Sequence, residues 1–77
     1  MPKLPVISGR EAVKALIAAG FEVQPRRGKG SHIVVARRDP TIIITIPDHK
    51  ELDRGTLRAI IRQAGLDPSR FIELLRG

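Results

Sequence analysis

The sequence predicts an α+β fold with helices packed on one face of a three-stranded antiparallel sheet, in the order α-β-β-β-α-α. Three observations predict it. A helix-capping signature stands near the start, three short β-prone segments follow one another across tight turns, and two amphipathic helical stripes come last.

Ser8-Gly9-Arg10-Glu11 has the spacing of a capping box, in which the serine oxygen accepts from the N3 amide and the glutamate accepts from the cap amide. Val13, Leu16 and Ile17 follow at helical spacing, and Gly20 stands where a left-handed residue ends a helix, so the first helix is expected over 9–19. Residues 21–24 alternate apolar and polar as a half-buried strand does, and Pro25, Gly28 and Gly30 break the pattern into a hairpin turn over 27–30. Residues 31–37 are β-branched and apolar, Arg38-Asp39-Pro40 reads as a turn, and 41–46 form a third strand ended by Pro47. Leu57, Ile60, Ile61 and Ala64 fall at i, i+3, i+4 and i+7 with Gly65 as the stop. Asp67 and Pro68 supply an N-cap and a first-turn proline for a short last helix bearing Phe71, Leu74 and Leu75.

Strand alternation directs Ile42, Ile44 and Ile46 at the helices together with Ile33 and Val35. His32, Val34 and Ala36 then share the open face with Thr41, Ile43 and Thr45. On that face Val34 and Ile43 would form a branched apolar patch of the kind that receives a partner.

A chain of 77 residues is expected to form one domain, 1–77, with no separate catalytic lobe. The absence of cysteine excludes a disulfide frame and thiolate metal sites, and it suits a reducing cytoplasm. Fourteen Lys and Arg against eight Asp and Glu give +6, which favours a polyanionic partner. The excess is local, because residues 24–38 hold Arg26, Arg27, Lys29, Arg37 and Arg38 and no acid. The longest apolar stretches, 33–36 and 42–46, fall far short of a membrane span, and the cations do not line one face of a helix, so no membrane partner is expected.

The two histidines are the main candidates for proton transfer near neutral pH. His32 opens the second strand directly after Gly28-Lys29-Gly30-Ser31, inside the basic segment, where neighbouring cations favour its neutral, basic form. His49 leaves the third strand beside Asp48, which could orient its ring. Neither belongs to a set with zinc-ligand spacing, so no metal or other cofactor is expected. The Gly-Lys-Gly turn would let backbone amides approach a phosphate, but it lacks Walker spacing and no helix follows it. Ser31 and His32 are adjacent on a strand and point to opposite faces, which excludes a serine-hydrolase pair. Arg54, Arg58 and Arg62 step along the polar side of the second helix, where they could extend a nucleic-acid surface, although for Arg58 and Arg62 an ordinary solvated face is the preferred reading.

Three segments together, Gly28-Lys29-Gly30-Ser31-His32, Ile46-Pro47-Asp48-His49-Lys50-Glu51-Leu52 and the run from Gly55-Thr56-Leu57-Arg58 to Gly65-Leu66, resemble the HicA family of toxins. The resemblance extends from the first helix to Phe71 and Leu75. It implies a fold like the double-stranded RNA-binding domain, metal-independent endoribonuclease cleavage of mRNA away from the ribosome, and neutralisation by a HicB-type antitoxin within a type II toxin–antitoxin system. The family's catalytic histidine falls on His32. On that basis His49 and Lys29 are candidate helpers, and Arg26, Arg27, Lys29, Ser31, Arg37 and Arg38 are candidate RNA-binding residues.

The segment after His32 carries no aromatic residue, so bases have no stacking platform and affinity would come from phosphates. Engagement of one strand by all five cations of the segment would give a log–log salt slope of about −3.5. The competing reading is a non-catalytic RNA-binding module of the double-stranded type, which the mixed charge of residues 48–54 disfavours. A third is an interaction subunit that docks its basic patch on an acidic protein.

Overall fold

Ser8 opens the first helix by the reciprocal contacts its sequence spacing anticipates. A computed structural model describes residues 3–25 and 31–77. In α1 (Gly9–Ala18) the Glu11 amide donates to Ser8 Oγ at 3.1 Å and the Ser8 amide donates to Glu11 Oε1 at 3.0 Å. Val13 and Leu16 are buried, whereas Ile17 is exposed because it sits about 100° round the helix from Leu16. Gly20, at φ +100°, then turns the chain into the sheet.

The sheet consists of β1 (Glu22–Val23), β2 (His32–Arg37) and β3 (Ile42–Pro47), antiparallel in that spatial order. The turn between β2 and β3 places Asp39 at φ 61°, a left-handed conformation that aspartate adopts more readily than most residues. Pro47 takes the last position of β3 rather than following it as a stop, which an edge strand tolerates. The helix-facing side buries Val35, Ile44 and Ile46. They join Leu16, Phe21, Leu57, Ile60, Ile61 and Phe71 in one core.

Two further helices complete that layer. Helix α2 (Arg54–Gln63) buries Leu57, Ile60 and Ile61 and ends before Gly65, at φ +75°. Helix α3 (Pro68–Arg76) is capped by Asp67, whose Oδ1 accepts from the Arg70 amide at 2.9 Å. Its Phe71 is fully buried, while Leu74 and Leu75 pack half-buried against the core. The three arginines of α2 lie on its exposed side. Like charges at i, i+4 destabilise a helix by about 0.2–0.5 kcal/mol per pair.

The α+β architecture is therefore the expected one, with one adjustment to the open face. Val34 points away from the helices yet is only 7 % exposed and lies outside the main core. It occupies the middle of the central strand, opposite Thr45 on β3, with its carbonyl accepting from the Gln24 amide at 2.7 Å on the other side. The apolar patch expected from Val34 and Ile43 is thus narrower than anticipated, with Ile43 (50 % exposed) its main accessible member.

Candidate functional site

The β2–β3 register pairs His32 with Pro47, so the start of β2 lies against the exit of β3. The Asp48 amide donates to the Ser31 carbonyl at 2.6 Å, extending the pairing one step past the strands. His32 and Ser31 are both exposed. His49 follows two residues after the partner of His32, and its side chain is exposed as well. Both histidines therefore belong to one corner of the sheet, from residues 17 apart in the sequence.

The start of α1 locks this corner. The Gly9 amide donates to the His49 carbonyl at 2.9 Å, and the Leu52 amide donates to the Ile7 carbonyl at 2.8 Å. Gly9 is required by contact: a Cβ there would collide with the Pro47 carbonyl oxygen and stand 3.2 Å from the Asp48 Cα. Arg10 forks onto Asp48, with Nε 3.1 Å from Oδ1 and Nη2 3.3 Å from Oδ2. The pair pushes the Arg10 pKa higher still, first through the hydrogen bond and then through charge. Asp48 is thus committed to Arg10 rather than to the His49 ring, the orienting role its position in the sequence suggested.

Ser8, Arg10, Asp48, His49 and Lys50 line a shallow depression at this corner. Arg10 and Ser8 were not among the candidate residues. The Arg10–Asp48 pair joins residues 38 positions apart, so only the tertiary fold reveals it. Asp53, the N-cap of α2, has its carboxyl held below the usual carboxylate range, first by the Thr56 hydroxyl and to a smaller extent by the Thr56 amide and the charge of His49.

The other expected RNA contacts separate into two groups. Arg37 and Arg38 stand at the far end of β2, five residues from His32 to Arg37, or about 17 Å along an extended strand. Arg37 pairs with Ile42 on the helix-facing side, and its guanidinium lies 5.1 Å from the centroid of the Phe21 ring. Its Nε is buried without a hydrogen-bond partner, leaving the ring as its compensating contact. Arg38 is exposed in the following turn, beside a depression lined by Glu22, Gln24, Ala36, Thr41 and Ile43. Arg26, Arg27 and Lys29 lie outside the described residues. Among the described residues, no group of three His, Cys, Asp or Glu side chains converges as a metal site. Among them, too, no helix is long and apolar enough to cross a membrane.

Taken with the fold, this defines a small α+β protein with a histidine-bearing corner and a sheet face that, among the described residues, no helix covers. The chain belongs to the HicA toxin family: residues 9–66 match the family described as HicA toxin of bacterial toxin-antitoxin. It is accordingly a toxin of a bacterial toxin–antitoxin pair. The matched range contains both histidines, the Arg10–Asp48 clamp and all of α2, and it ends before α3. No curated protein sequence matches the chain.

Proposed function

We propose that this toxin is a metal-independent endoribonuclease that cleaves mRNA in the cytoplasm with His32 as general base, and that a HicB-type antitoxin neutralises it. The observation that carries the reading is the exposed imidazole of His32 at the start of β2, held against the β3 exit in a chain of the HicA family. A neutral imidazole can accept the proton of a ribose 2′-hydroxyl that lies within hydrogen-bond reach.

The 2′-oxygen then forms a bond to phosphorus while the bond from phosphorus to the 5′-oxygen breaks. The proton from the 2′-hydroxyl moves to His32, and the departing 5′-oxygen takes a proton from His49, a lysine or water. The products are a 2′,3′-cyclic phosphate and a 5′-hydroxyl. Cations beside the scissile phosphate stabilise the charge of the phosphorane; Arg10, Lys50 and Lys29 are the ones we assign to this role. DNA lacks the nucleophile and is spared.

Arg26, Arg27, Ser31 and Arg38 would contact the RNA backbone. Arg37 contributes less, because its guanidinium is occupied by Phe21. The reading is tested with purified protein and labelled RNA in EDTA, alongside His32→Ala. Loss of cleavage with retained RNA binding supports it, and duplex binding with no cleavage by the unaltered protein would replace it with the non-catalytic module.

A further inference from the structure

Helix α2 carries Arg54, Arg58 and Arg62 at successive i, i+4 positions and contains no acidic residue. All three are exposed. Among the described residues the only side-chain ion pairs are Arg10–Asp48 and Arg70–Glu73, so no carboxylate is paired with this row, although Asp67 lines a depression together with Arg58 and Arg62. Folding does not account for the arrangement. Neighbouring like charges on one helix face repel, and the positive end of the helix dipole disfavours the arginine in the first turn. Only Arg62, in the last turn, sits where the dipole favours a cation.

Successive members of the row are about 6 Å apart along the helix axis, the scale on which phosphates repeat along an extended nucleic-acid strand. Guanidinium groups suit that ligand because each can present a planar pair of donors to phosphate oxygens. The row also begins in the right place. Arg54 directly follows Asp53, and residues 48–53 connect it to the β3 exit that pairs with His32.

We infer that Arg54, Arg58 and Arg62 form a phosphate-binding track that holds the single-stranded RNA substrate on one side of the His32 corner. The inference rests on the ribonuclease reading and assigns its substrate a path across the molecule. It replaces the view of these arginines as an ordinary solvated face.

The test uses the His32→Ala protein, which prevents turnover, and measures its affinity for a single-stranded RNA oligonucleotide across a salt series. Into this background are placed either Arg54→Gln/Arg58→Gln/Arg62→Gln or the charge-matched control Lys3→Gln/Lys14→Gln/Arg76→Gln. The track predicts that the arginine triple flattens the log–log salt slope by about 2, roughly a hundredfold loss of affinity at 0.1 M salt relative to extrapolation at 1 M, while the control changes affinity less than about threefold. It also predicts that the arginine triple melts no lower than its parent, so lost binding is not lost folding. An unchanged slope in the arginine triple, or an equal loss in the control, overturns the track. A parent that binds no RNA at all overturns the ribonuclease reading itself, and the track with it.

Discussion

Replacing Gly9 with alanine sets two physical effects against each other. Helix propensity alone favours the alanine by up to about 1 kcal/mol. The structure predicts the opposite sign, because the added Cβ meets only backbone: the Pro47 carbonyl oxygen and carbon, with the carbon at 3.0 Å, and the Asp48 Cα at 3.2 Å. No side chain can swing away to relieve it. Either α1 or the β3 exit must shift, at a cost of about 1–3 kcal/mol for overpacking. The shift also stretches the hydrogen bond from the Gly9 amide to the His49 carbonyl, 2.9 Å in the native protein, adding about 1 kcal/mol.

The net expectation is a loss of about 1–3 kcal/mol, against a total stability of roughly 4–12 kcal/mol for a chain of this length. At about 4–8 °C per kcal/mol, Gly9→Ala should lower the Tm by about 4–24 °C. Thermal denaturation followed by circular dichroism reads this directly. A Tm equal to or above that of the unaltered protein would show that the α1–β3 contact does not constrain this corner, and the reasoning would fail.

Three further outcomes follow from the same geometry. Ser8→Ala removes one half of the capping box and should cost about 1 kcal/mol in urea denaturation, with little further loss when Glu11→Ala is added because the two contacts act together. Arg37→Ala should lose about 1–2 kcal/mol of stability through its contact with Phe21, and Arg37→Met, which keeps an apolar stem, should lose less; binding assays should show RNA affinity changed less than about twofold in both. Asp53→Asn should destabilise the protein at pH 7. Since the folded carboxyl titrates below its ordinary value of 3.8, the stabilisation is present above that value and disappears as pH falls through the lowered one, so urea midpoints of the two proteins should converge in that acid range.

Much of this molecule is legible from local pattern because local interactions determine it. The Ser8–Glu11 box, the left-handed Gly20 and Gly65, and the α2 stripe of Leu57, Ile60 and Ile61 each depend on residues within a turn or two of one another. The sheet phase was equally readable for Ile44 and Ile46. Val34 was not: alternation places it opposite Thr45 on the face away from the helices, and yet it is buried.

The candidate site shows the same division. Treating residues 24–38 as one basic cluster overlooked the pleat: Arg37 lies an odd number of positions from His32 and so faces the opposite side, where Phe21 receives it. That signal was available in the numbering. The approach of His32 to the β3 exit depends on strand register, and the Arg10–Asp48 clamp on helix docking, neither of which any local motif encodes. The α2 arginines were visible throughout. Their unpaired state became informative only when, among the described residues, no carboxylate formed an ion pair with them.

The most direct test of the central claim compares the unaltered protein and His32→Ala on labelled single-stranded RNA and DNA of one sequence, in EDTA, with products resolved by size and end group. The account predicts that the unaltered protein cuts RNA to 5′-hydroxyl products and leaves DNA intact. His32→Ala should cut about 10²–10⁴-fold more slowly while melting and binding RNA much as its parent does. Cleavage by folded His32→Ala at the parental rate would contradict it.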